Sequence, residues 1–133
     1  MEIRDATETD VESIASCGEL PIEAVNTMLR DRTVWIGEAK TAIIAFLAFT
    51  VTREGVHITQ LGGDSQALQS IISAVIDYAI AGAMPVETVV PKSETAIHEL
   101  LEEVGFRVSG PGPHFRGEPT QRYRFTPSET DVT

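Results

Sequence analysis

Apolar positions along the chain recur with two different periods. Leu68, Ile71, Ile72, Val75, Ile76, Ala79 and Ile80 follow one another at three and four residues, the spacing that lines up one stripe of an α-helix. This helix is predicted to start near Gln66, capped by Asp64 or Ser65, and to end at Gly82. Ile22, Val25, Met28 and Leu29 predict an earlier helix, and Val11, Ile14 and Ala15 a shorter one before it, opened by Thr9 with Glu12 three residues on. A last helix follows Ser93 as cap, with Ile97, Leu100, Leu101 and Val104 inward and Gly105 as its stop. Between these lie runs of strand character: EIR at the start, then TVWIGEA, TAIIAFLAFTVT and VHITQL in the middle, and VETVV ended by Pro91. The two middle turns fall at 38–41 and 53–55. The central middle run is apolar on both faces, as expected of a strand covered on both sides. Two more strands are predicted around 106–109 and 121–126, joined by the loop GPGPHFRGEPT.

The order is therefore strand, two helices, three strands, helix, strand, helix, two strands. It predicts an α+β fold with a mixed, mostly antiparallel sheet of six to seven strands and about four helices. No repeat or linker divides it, so a single domain over 2–126 is expected, with a frayed tail over 127–133.

Composition narrows the partners. Of 133 residues, 42% are hydrophobic, enough for one core and too few residues for two ordinary domains. The longest purely apolar run, AIIAFLAF, is far too short to span a bilayer, and the N-terminus is acidic without a hydrophobic signal core. A soluble, cytoplasmic protein is expected. The formal charge is −10, and only Lys40 and Lys92 are lysines; such a surface resembles that of proteins from salt-rich cytoplasm and is unsuited to nucleic acid. The lone Cys17 has no metal-ligand spacing around it, so no metal site is expected and a packing role is. Against this acidic background, Arg107, His114, Arg116, Arg122 and Arg124 stand with Glu118 as the only acid among them. They either balance acidic helices such as ETAIHELLEE or attract an anionic group or a second subunit.

The order of elements resembles that of the GNAT N-acetyltransferase superfamily over nearly the whole chain. Ile3-Arg4-x-Ala6-x-x-x-Asp10-x-x-x-Ile14 looks like the first strand and helix of many members, and SETAIHELLEEVGF resembles their fourth helix. The resemblance implies acetyl-CoA as cosubstrate and a small amine as acceptor. The pyrophosphate would rest on backbone amides at the start of the third helix, where unpaired N–H groups and the helix dipole meet an anion. The corresponding stretch is Leu61, Gly62, Gly63, Asp64 and Ser65, with Gln60, Gly63 and Ser65 at the motif's three fixed positions. The same residues also read as a compressed corner in which Asp64 is a helix cap.

Acetyl transfer needs a deprotonated amine, a donor for the developing oxyanion and an acid for the departing thiolate. By resemblance the base falls on Thr59 or its neighbour His57, a side chain of the type that serves as a base near neutral pH, whereas Leu101 stands where the family often has a tyrosine acid. Tyr78 is expected at the edge of a helix stripe. Tyr123 alternates with Arg122 and Arg124 and so faces away from both, packing on a helix if the arginines face the acceptor. Arg116, Arg122 and Arg124 are the candidate contacts for an acidic group on the acceptor. The alternative is a catalytically silent binding or assembly module whose tail strands pair in a homodimer.

Overall fold

The structure, a computed structural model, describes residues 1–127; apart from Pro127, the expected frayed tail lies outside the described residues. The chain runs β1 (Glu2–Asp5), a short 3-10 turn (Glu8–Asp10), α1 (Val11–Gly18), α2 (Ile22–Asp31), β2 (Thr33–Ala39), β3 (Ala42–Thr52) and β4 (Gly55–Gly63). It continues with α3 (Ser65–Ala81), β5 (Val86–Pro91), α4 (Thr95–Glu103), β6 (Arg107–Pro111) and β7 (Thr120–Phe125). The predicted α+β class is what the backbone adopts: four α-helices and a seven-stranded sheet ordered β1-β2-β3-β4-β5-β7-β6 among the described residues. β4 and β5 are parallel, which requires a long crossover, and α3 supplies it. β7 inserts between β5 and β6, antiparallel to both. No described helix is long and apolar enough to cross a membrane.

Two compact units are distinguished: Met1–Thr50 with Thr59–Ile72, and Val51–Ile58 with Ser73 onward. In the first, β2 and β3 pair from Thr33 opposite Phe49 to Ala39 opposite Ala42. Alternation sends Phe46 and Ala48 to one face, where they pack with Ile14, Ala15, Val25, Met28, Val34 and Ile36. The other face meets α3, because a Cβ placed on Gly37 would touch Ile71. β3 is thus apolar throughout its middle because both faces are covered.

The start of the chain is tied down by charge. Arg4 grips the Asp10 carboxylate with two N–H groups at 2.9 and 3.0 Å and donates from Nε to Glu38 at 3.1 Å. Asp10 also accepts the Thr7 backbone N–H at 2.7 Å. The helix start therefore sits at Thr7 and Asp10 rather than at Thr9 and Glu12, because an arginine six residues upstream in sequence orients the carboxylate. This explains physically the Arg4-to-Asp10 spacing noted in the sequence.

In the second unit, Val86, Val90, Leu101, Tyr123 and Phe125 are buried, and the Phe106 and Phe125 rings lie 5.9 Å apart. Two helix ends differ from expectation. At the end of α3 the left-handed residue is Ala83 (φ 55°), not Gly82, and the Met84 N–H returns to the Ala79 carbonyl at 2.8 Å. At the start of α4 the cap position is Glu94, and the Ser93 N–H is held by Glu118 at 2.8 Å, twenty-five residues away.

Candidate functional site

β4 extends to Gly63, and Asp64 alone separates it from α3. Gly63 has φ +110°, and a Cβ there would lie 2.6 Å from the Ala45 Cα and 2.8 Å from the Cys17 Sγ. No other residue fits so close a backbone approach. The Asp64 N–H donates to the Ile44 carbonyl at 2.8 Å, while its carboxylate accepts the Ala67 N–H at 3.0 Å and caps α3. The corner is thereby fastened to β3. Beyond it, the Ser65 and Gln66 amides have no hydrogen bond among the described residues, as the first turn of a helix allows. Of the five residues expected to form a cradle, Leu61 and Gly62 are half-buried in the strand, Gly63 and Asp64 make the corner, and Ser65 offers an unpaired N–H. Gln66, the next residue, offers another.

An open cleft of about 720 Å³ adjoins the corner, lined by α1 through Glu12, Ser16 and Cys17, by the start of β3, and by Gly63 and Asp64. Two carboxylates at its wall favour a cation over an anion. Burial pushes the Cys17 thiol above its usual pKa, which leaves it a weaker nucleophile and agrees with packing.

On β4, His57 is half-buried and stands in register with Glu87 of β5. Thr59 is exposed, and its hydroxyl donates to the Ala48 carbonyl at 3.3 Å. Between Thr59 and Leu61, the Gln60 side-chain oxygen is buried without a partner.

The three arginines are not one cluster. Arg116 occupies the tip of a two-residue hairpin closed by Phe115 and Glu118, with Arg116 and Gly117 both at positive φ and the guanidinium 5.1 Å from the Phe115 ring centre. Arg122 and Arg124 share a face of β7, and Arg124 pairs with Glu87 at 3.2 Å. Arg122 has no ion pair among the described residues.

No protein-family model matches the sequence, and no curated protein matches it. Solved structures do. An N-acetyltransferase from Staphylococcus aureus Mu50 superposes with TM-score 0.80 at 14% identity, covering 96% of this chain and 97% of that one. A Salmonella typhimurium structure with its cofactor acetyl-CoA gives 0.75 at 15% identity, covering 96% and 94%. A variant of spermidine N-acetyltransferase from Vibrio cholerae gives 0.74 at 15%, covering 97% and 96%.

The chain has the GNAT fold.

Within this GNAT frame, Leu101, which the resemblance sets against a tyrosine, is fully buried on α4 and cannot donate a proton. Tyr123 packs on α4 through His98, the arrangement expected for arginines that face the acceptor. Its hydroxyl lies 2.7 Å from His98 Nδ1, while His98 Nε2 lies 2.9 Å from the Pro91 carbonyl. A carbonyl only accepts, so Nε2 carries the proton and the tyrosine donates to Nδ1. Burial first, and the charge of Glu102 second, push the Tyr123 phenol above its usual pKa. This network was invisible in the sequence because its three members lie on separate elements. Tyr78, expected at the edge of the α3 stripe, is 44% exposed.

Proposed function

We propose that this chain is an acetyl-CoA-dependent N-acyltransferase acting on a small amine. The observation that carries the reading is the start of α3: a GNAT strand order delivers β4 into a helix whose Ser65 and Gln66 amides are unpaired, a ready place for a pyrophosphate. The other backbone group of the corner, the Asp64 N–H, is already occupied, so the phosphate contacts are fewer than a longer loop would supply. His57 is the proposed base, and Thr59, the other candidate on β4, is a proposed hydrogen-bond acceptor for the amine, its lone pairs being free while it donates to Ala48. A cationic acceptor is the proposed substrate class, which the spermidine-acetylating neighbour supports. Arg122 is the proposed contact for an acceptor that carries an acidic group, since Arg124 is paired with Glu87 and Arg116 stands apart at the tip of its hairpin.

Titration calorimetry with acetyl-CoA at low and high salt tests the reading, with a thermal shift as a second signal. Binding with a Kd in the micromolar range and a raised Tm are expected. No heat and no shift at millimolar acetyl-CoA would exclude it.

The second reading is a silent GNAT-fold binding or assembly module. The observation favouring it is the way Asp64 is used, with its N–H on Ile44 and its carboxylate on Ala67, which turns a candidate cradle into a corner. Acetyl-CoA binding without acetylation of any amine in a broad panel would select this reading.

A further inference from the structure

Among the described residues, one buried side-chain nitrogen or oxygen has no hydrogen-bond partner, and it is Gln60 Oε1. A carbonyl taken out of water with nothing to accept from costs stability, so such atoms call for an explanation. A methionine or leucine would fill the same volume without that cost.

Gln60 as a whole is only half-buried. Its amide nitrogen is neither hydrogen-bonded nor among the enclosed atoms, so that end of the group reaches the surface. The last side-chain torsion of glutamine is soft and roughly two-fold, and a half-turn presents the oxygen outward instead. Gln60 shares a face of β4 with Ile58 and Gly62. A Cβ on Gly62 would meet the Phe46 ring at 3.0 Å and the Gly18 Cα at 3.7 Å, so Gln60 points to the face that the end of α1 covers. Three residues of strand, roughly 10 Å, separate it from Gly63, and the corner with the unpaired amides of Ser65 and Gln66 follows.

We propose that Gln60 Oε1 accepts an N–H of the bound reactants, either an amide N–H of the pantetheine arm or the amine N–H of the acyl acceptor. The inference rests on the acyltransferase reading above. A neutral carboxamide suits both sources. It orients an N–H without a charge, whereas a carboxylate in its place would favour the protonated amine and remove the nucleophile.

The test uses the full chain and its variants Gln60→Met and Gln60→Glu, with acetyl-CoA and spermidine as probes. Without ligand, Gln60→Met is expected to melt at or above the wild-type temperature, because the unpaired acceptor is gone. If the pantetheine arm is the source, acetyl-CoA affinity falls about five- to tenfold in Gln60→Met. If the amine is the source, acetyl-CoA affinity holds while KM for spermidine rises by a similar factor, and Gln60→Glu moves the pH–rate limb to higher pH. A lowered melting temperature in Gln60→Met would make the side chain structural and overturn the inference. Unchanged acetyl-CoA affinity together with equal spermidine turnover in both proteins, nil included, would overturn it too, while leaving the acyltransferase reading intact. Wild-type protein that does not bind acetyl-CoA would sink that reading and this inference with it.

Discussion

Gly63 is held in a conformation and a space that admit no side chain. Its φ of +110° disfavours any L residue, and the Ala45 Cα and Cys17 Sγ occupy the place of a Cβ. Gly63→Ala is expected to cost roughly 2–4 kcal/mol, read as a lower urea midpoint at unchanged slope. Gly62→Ala, which meets only the edge of the Phe46 ring, should cost clearly less; equal losses would contradict the geometry. The glycine pair was legible in the sequence as a junction, but which of the two is indispensable depends on β3 and α1, which are distant in sequence. Asp10 carries the second residue-scale consequence. The Arg4 guanidinium, aided by Thr7, lowers its pKa from the usual 3.8 to about 2 despite burial. A carboxylate lowered on folding adds stability that is complete above its unfolded pKa and lost as pH falls through its folded one. Asp10→Asn should therefore be less stable than wild type at neutral pH, by about 1.5–3 kcal/mol. The gap should close between about pH 4 and pH 2 in acid-unfolding curves; a gap that persists at pH 2 would remove the ion pair as its cause.

At the scale of elements, the periodic patterns were sufficient for the helices and strands, and their ends were not. The α3 stripe repeats over four turns, so its sequence signal survives any neighbour. Caps involve one or two residues, and a distant group can override them: Glu118 captures the Ser93 N–H, and Arg4 draws Asp10 into the first turn. The end of α3 offers a direct check. Ala83 takes the left-handed conformation that Gly82 was expected to supply, and an L residue pays about 1 kcal/mol for it. Ala83→Gly should raise stability by about 0.5–1 kcal/mol, seen by calorimetry as a Tm a few degrees higher. A lower Tm would mean that the methyl group makes a contact worth more than the strain. The start of α3 leaves no room for a long phosphate loop: β4 continues two residues beyond the alternating run, and Asp64 alone remains to turn the chain.

For the molecule as a whole, charge is the dominant quantity that sequence composition supplies. A formal −10 on 133 residues repels itself, and added salt screens exposed charges, with the Debye length falling from about 10 Å at 0.1 M to about 3 Å at 1 M. The melting temperature is expected to rise by several degrees across that range. A flat or falling curve would show that favourable pairs such as Arg4 with Asp10 outweigh the net repulsion. Strand and helix order, and through them the α+β class and the GNAT resemblance, were accessible from the chain alone because side-chain periodicity is a local property that burial preserves. Which groups remain available for chemistry was not. Ser65 and Gln66 keep unpaired amides, Asp64 loses its own to Ile44, Arg124 is taken by Glu87, and Gln60 is left without a donor. Each of these outcomes is set by a partner, or by the lack of one, that is brought near or withheld when the strands pair and the helices pack.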